Sequence, residues 1–141
     1  MLRLSDFDEP EDLVAKYFSR RQNREVSIGV GDVVAIYEDD NVDVDDATGV
    51  ERVVKRLVSV CKSGKLGSIE FCIKAREELV RVDGDIVARL TEMRRLTTTG
   101  RTRRISRGSR ERNMVVGAVR NGIDEIDEQI EKRRFLEWGR V

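Results

Sequence analysis

The sequence has no histidine, one proline and only seven aromatic residues among its 141. Histidine is the usual general base near neutral pH and a common zinc ligand, so its absence excludes Ser-His-Asp and Cys-His catalysis. No P-loop motif is present, and the pair Gly29 and Gly31 lacks the third glycine of a dinucleotide-binding turn. We therefore expect a binding protein and not an enzyme, with no cofactor and no metal.

Long apolar runs and a cysteine framework are also missing. No stretch approaches the roughly 20 apolar residues of a membrane-spanning helix. The acidic N-terminus differs from the basic flank of a secretory signal. Cys61 and Cys72 are too few for a disulfide scaffold and occupy apolar positions of predicted helices. These features predict a soluble cytoplasmic or nuclear protein that does not bind membranes.

Charge is present in abundance and is strongly segregated, although the formal net charge is zero. Residues 1–46 carry thirteen acids and five bases, a net of −8, whereas residues 94–112 carry eight arginines and one acid, a net of +7. Such segregation indicates different partners for different faces, or an acidic arm that folds back on the basic segment.

Residues 1–46 predict an acidic arm made of a helix and a small β-hairpin. Asp8 and Pro10 are typical of a helix start, and four apolar residues then fall on one helical face: Leu13, Val14, Tyr17 and Phe18. Two or three short strands are predicted between residues 25 and 44, where β-branched residues alternate or cluster, including the run 33–37.

Residues 47–141 predict a helical body. Thr48 and Glu51 form a potential capping box for a helix whose apolar stripe covers residues 50–61. A second stripe keeps its phase across Gly84, which favours one long helix over residues 68–96. A third stripe, over residues 116–130, alternates steps of three and four as in a coiled coil. The predicted fold class is therefore mainly α with a minor β-hairpin.

The second and third stripes can pair within one chain as a helical hairpin or between chains as a dimer. We favour a homodimer or higher oligomer, because a two-fold protein suits a two-stranded polyanion. The predicted interface residues are Leu79, Ile86, Met93, Val116, Val119, Ile123, Ile126 and Ile130.

The arginine-rich segment, residues 94–112, is the clearest functional pointer. Guanidinium groups present a planar fork of donors to phosphate oxygens, and the interleaved Thr and Ser hydroxyls can also donate. Aromatic residues for base stacking are absent, which favours backbone or shape recognition of duplex RNA or DNA. The predicted contacts are Arg94, Arg95, Arg101, Arg103, Arg104, Arg107, Arg110 and Arg112.

Several weaker interpretations share these residues. The basic segment could pair with the acidic N-terminal region, target the protein to the nucleus or bind anionic lipid, and residues 103–106 match a basophilic kinase site. The acidic run 39–46 is better explained as a solvated loop than as a cation site. Residues 63–67 are better explained as a turn between helices than as an anion site.

The sequence thus predicts a non-catalytic nucleic-acid-binding accessory or regulatory protein. Its composition resembles that of small viral or regulatory proteins that sequester nucleic acid, although no family motif supports a family assignment. The alternative is a protein–protein adaptor or assembly factor. In that case the helical stripes and the apolar tail Phe135, Leu136 and Trp138 form the working surface, and the basic segment serves localisation or solubility.

Overall fold

The computed structural model describes residues 9–63, 69–97 and 108–138, and these ranges are mainly helical with a small antiparallel hairpin. A 3-10 turn at Pro10–Asp12 leads into strands β1 (Val14–Ser19) and β2 (Arg24–Gly29). A second such turn, Val30–Asp32, precedes the short helix α1 (Val33–Glu38). The long helices are α2 (Val44–Lys62), α3 (Ile69–Thr97) and α4 (Ser109–Trp138). The predicted fold class is confirmed.

The N-terminal segment is a strand, and the predicted N-terminal helix is wrong. Alternate residues of this segment are buried, namely Leu13, Ala15 and Tyr17, whereas Val14 and Phe18 are exposed. The apolar residues occur in adjacent pairs, a pattern that a strand with one buried face satisfies as well as a helix does. Pairing with β2 decides between the two, because it supplies backbone partners along the whole of β1.

The hairpin forms between β1 and β2, earlier in the chain than the sequence predicts. Tyr17 lies opposite Val26, and Asn23 turns the chain with a φ of 51°, which asparagine tolerates better than most residues. The predicted strand over residues 33–37 is wrong. This segment is α1, in which Val33 and Tyr37 are one helical turn apart and both are buried.

Helix α2 begins before the predicted capping box at Thr48. The Asp43 carboxylate accepts a hydrogen bond from the Asp46 amide at 2.9 Å, and the Asp46 carboxylate accepts one from the Asp43 amide at 3.2 Å. The Thr48 hydroxyl donates instead to the Val44 carbonyl at 2.8 Å. The second half of the acidic run is therefore a helix N-terminus and not the solvated loop that we expected, and Asp46 is only 4% exposed.

Helices α3 and α4 pack against each other within the chain. Helix α3 continues through Gly84, so the prediction of one long helix is confirmed. All eight predicted interface residues lie in or against the chain's own core: Leu79, Ile86, Val119, Ile126 and Ile130 are buried, and Met93, Val116 and Ile123 pack against them. The structure thus adopts the intrachain pairing, and a dimer would need a different surface.

Helix α2 lies between the hairpin and α4 and contacts both closely. A Cβ atom on Gly49 would lie 2.5 Å from Cδ1 of Tyr17, and one on Gly122 would lie 2.3 Å from Cγ1 of Val54. On the hairpin side, Arg52 donates to the Lys16 carbonyl at 2.9 Å. These contacts place the hairpin and the long helices around one shared core.

Two glycines in long helices should therefore respond oppositely to substitution by alanine. Gly84→Ala should raise the free energy of unfolding by about 1 kcal/mol, because Gly84 is exposed with open space around it. Gly122→Ala should lower it by about 1–3 kcal/mol, because the added methyl group overlaps Val54. Urea unfolding followed by circular dichroism measures both, and a similar gain from both variants would contradict the close α2–α4 contact.

Candidate nucleic-acid interface

The described arginines of the basic segment lie at one end of the α3–α4 pair. Arg94 and Arg95 are exposed in the last turn of α3, and Arg110 is exposed in the first turn of α4. Arg94 and Ser109 line the same groove, so the two ends of the segment approach each other. The remaining predicted contacts lie outside the described residues, namely Arg101, Arg103, Arg104 and Arg107.

Arg112 differs from its neighbours because it is buried. Only 4% of it is exposed, and its guanidinium group donates to the Tyr37 carbonyl at 2.7 Å and to the Asp39 carbonyl at 3.0 Å. These carbonyls lie at the C-terminal end of α1, where a helix leaves backbone acceptors unpaired and favours a positive charge. Arg112 therefore links the first turn of α4 to the end of α1. Its guanidinium group is buried there, unlike those of the exposed arginines among the predicted phosphate contacts.

A groove of about 320 Å³ lies beside Arg112, between the C-terminal half of α3 and the N-terminal half of α4. We call it the α3–α4 groove. Apolar side chains form much of its lining, and three arginines with two smaller polar residues complete it. The lining residues are Tyr37, Ile86, Val87, Leu90, Met93, Arg94, Ser109, Arg112, Asn113, Val116 and Arg120. None of them is acidic.

The three arginines that line the groove influence the pKa of the Tyr37 hydroxyl. Burial raises the pKa of the Tyr37 hydroxyl, while the positive charges of Arg112, Arg94 and Arg120 oppose that rise. All three arginines line the same groove, so three guanidinium groups lie near one another at this end of the helical pair. Arg120 also forms an ion pair with Asp83 at 3.1 Å.

Sequence reasoning missed Arg120 and the groove itself. Arg120 lies outside the basic segment, but the spacing of Arg112, Val116 and Arg120 by four residues places them on one helical face. That spacing was a usable signal for Arg120. Tyr37 and Asn113 had no such signal, because their place in the groove depends on how α1, α3 and α4 pack.

The acidic cluster at the start of α2 is paired with arginines of the hairpin. Arg20 binds both carboxylate oxygens of Asp45 at 3.1 Å and thereby lowers the pKa of Asp45. Arg21 lies 3.4 Å from Asp46 and 3.6 Å from Asp43.

Tyr17 completes this cluster from the hairpin side. Its hydroxyl donates to the buried Asp46 carboxylate at 2.7 Å. Burial and this acceptor both raise the pKa of Tyr17. Asp46 thus holds the hairpin against α2 as well as capping the helix.

The remaining predictions from the sequence concern the two cysteines, residues 63–67, metal ligands and membrane-spanning helices. Cys61 and Cys72 are both buried, as predicted, and the Cys72 thiol faces the Cys61 carbonyl at 3.8 Å. The turn over residues 63–67 lies largely outside the described residues. Within the three described ranges, no group of three or more histidine, cysteine or acidic residues is placed to hold a metal. No helix in those ranges is long and apolar enough to span a bilayer.

Six large apolar side chains are exposed among the described residues, on β1, α2, α3 and α4. Phe135, near the end of α4, is 78% exposed, and Val80 and Val87 on α3 are 43% and 45% exposed. The side chains of Leu136 and Trp138, which the sequence places in the same apolar tail, lie outside the described residues.

Comparison with known proteins gives no match: no family model, no curated protein sequence and no solved structure is similar to this chain.

Proposed function

We propose that this chain is a non-catalytic nucleic-acid-binding protein with an accessory or regulatory role. Its arginine-rich segment, residues 94–112, binds the phosphate backbone of duplex RNA or DNA. The observation that carries the proposal is the charge of this segment, which holds eight arginines and one acid in 19 residues. No other segment of the chain holds so many basic residues with so few acids.

The described part of the segment supports this role. Arg94, Arg95 and Arg110 are exposed at one end of the molecule, beside the first turn of α4. A helix N-terminus carries a partial positive charge, which adds to the attraction for phosphate. Each phosphate that an arginine neutralises releases condensed counterions, so the affinity should fall steeply with salt.

The competing internal interpretation has less support. If the basic segment only neutralised the acidic N-terminal region, the acids at the start of α2 should form ion pairs with that segment. Asp43, Asp45 and Asp46 instead pair with Arg20 and Arg21 of the hairpin. Arg112 meets the same region through the Asp39 carbonyl. Among the described residues, the acidic cluster at the start of α2 is therefore paired with cations of the hairpin.

The test measures binding of labelled duplex RNA, duplex DNA and single strands at ~50 and ~200 mM salt. Charge reversal of Arg103, Arg104 and Arg107 to Glu should weaken duplex binding at least about tenfold and reduce the salt slope by about three. The matched control reverses Arg24, Lys55 and Lys62, three exposed cations elsewhere on the surface. It should lose much less affinity. Absence of binding at the lower salt, or equal losses in both triple variants, would overturn the proposal.

A protein–protein adaptor is the second candidate. The helical stripes are internal, so an adaptor, or a homodimer, would use the exposed apolar residues Val80, Val87 and Phe135. In this case the basic segment would serve localisation or solubility. The binding experiment separates the two candidates, because an adaptor binds no nucleic acid at either salt concentration.

A further inference from the structure

We propose that the α3–α4 groove takes one unpaired nucleotide, with the base inside the groove and its phosphate at the rim. This inference rests on the proposed function and extends it. The arginine-rich segment would supply affinity for any duplex, and the groove would add a preference for nucleic acid with an unpaired base.

The size and the floor of the groove suit a flat, mostly apolar group. About 320 Å³ is near the lower end of the range for small-molecule pockets. Leu90, Met93 and Val116 are partly buried and line the groove with aliphatic or thioether groups, and we call these three residues the floor. Such side chains pack against the face of an aromatic ring, and a thioether sulfur also favours contact with one.

The polar lining residues suit the other parts of a nucleotide. The Asn113 side-chain amide offers both donors and an acceptor, which the edge of a base requires. Arg94 and Arg120 can bind phosphate oxygens or stack on the base through their planar guanidinium groups. Ser109 adds a hydroxyl donor in the first turn of α4.

Other occupants match the lining less completely. Three arginines and no acid among the described lining residues disfavour a cationic ligand. The carboxylate of a fatty acid would bind the arginines and its chain would cover the floor, but Asn113 would have no partner. An acidic peptide would engage the arginines but has few planar groups for the floor. A nucleotide uses the floor, the amide and the arginines together.

The first experiment compares a perfect RNA duplex with the same duplex carrying one bulged adenosine, by fluorescence anisotropy. The wild-type protein should bind the bulged duplex about tenfold more tightly, because the unpaired base adds packing, guanidinium stacking and hydrogen-bond contacts that the perfect duplex cannot make. Arg94→Gln and Asn113→Ala should lose that preference.

The chain offers matched controls for both variants. Arg95 follows Arg94 in the same exposed turn but does not line the groove, and Asn121 lies on α4 outside it. Arg95→Gln should weaken binding to both duplexes equally, and Asn121→Ala should change neither. Equal binding of both duplexes by the wild-type protein overturns the groove proposal and leaves the proposed function standing.

A second measurement tests the groove without any duplex. Adenosine 5′-monophosphate is titrated into the full-length protein while the methionine methyl resonances are recorded. The Met93 methyl group should shift, whereas that of Met114, which lines a different cavity between α2 and α4, should not. If the protein binds no duplex but the nucleotide shifts the Met93 methyl resonance, only the proposed function is refuted. A Met93 shift with laurate or a poly-glutamate peptide, and none with the nucleotide, would refute the groove proposal.

Discussion

Ile126→Asp is expected to unfold the chain and not to separate two copies of it. Ile126 is fully buried where α4 packs within the core, and a carboxylate at that position has no aqueous environment. Burying an unpaired charge in an apolar core costs more than about 4 kcal/mol, a large part of the stability of a typical domain. The graded variant Ile126→Ala should still lose about 2–5 kcal/mol.

Circular dichroism together with sedimentation analysis distinguishes the two outcomes. Asn121→Asp, an exposed position on the same helix, is the control and should keep both helicity and mass. A folded Ile126→Asp variant with half the mass of the wild-type protein would show that this residue lies between copies. The intrachain pairing of α3 and α4 would then be refuted.

Arg112→Met should be the most destabilising change among the described arginines of the basic segment. The methionine keeps part of the aliphatic volume but removes the donors that reach the Tyr37 and Asp39 carbonyls. Leaving two such acceptors poorly satisfied should lower the free energy of unfolding by about 2–4 kcal/mol.

Arg110→Met is the matched control for that variant, because Arg110 is exposed two residues earlier and has the same charge. Its effect on urea unfolding should stay within about 0.5 kcal/mol. Similar losses of stability from the two variants would contradict the anchoring role of Arg112. In the nucleic-acid binding experiment, the order of the two positions should reverse. Arg110→Met should weaken binding more than any folded Arg112 variant does.

The sequence predicted the long helices well because their signals are long and regular. In α3 and α4 the apolar residues repeat over several turns, so the same face is specified many times and one exception does not change it. Gly84 is such an exception: the helix continues through it because Leu79, Val82 and Ile86 keep burying the same side. The sequence left two pairings of these stripes open and we favoured the one between copies, whereas the structure pairs them within the chain.

The short N-terminal elements could not be predicted in the same way. Leu13 to Phe18 fit a helix as well as a strand, and only the hydrogen bonds to β2 settle the choice. The β-branched run of α1 favours a strand by local propensity, yet burial of Val33 and Tyr37 one turn apart makes it helical. In both segments tertiary contacts outweigh a local preference of less than about 1 kcal/mol per residue.

The candidate site was predictable in composition but not in arrangement. Eight arginines in one segment stand out in any sequence, yet nothing local distinguishes Arg112 from Arg110. Their difference arises because α1 ends next to the first turns of α4. The α3–α4 groove likewise needs three separate elements, so no single stretch of sequence contains its pattern.

The central position of α2 has a consequence for the newly made chain. The hairpin and α2 are synthesised first, so Tyr17 can reach Asp46 early, but the side of α2 that receives α4 has to wait for two further helices. During that interval Val54, which is buried in the finished protein and adjoins Gly122 there, remains in contact with water or a chaperone. The same side is therefore where a nascent or truncated chain is most prone to aggregate.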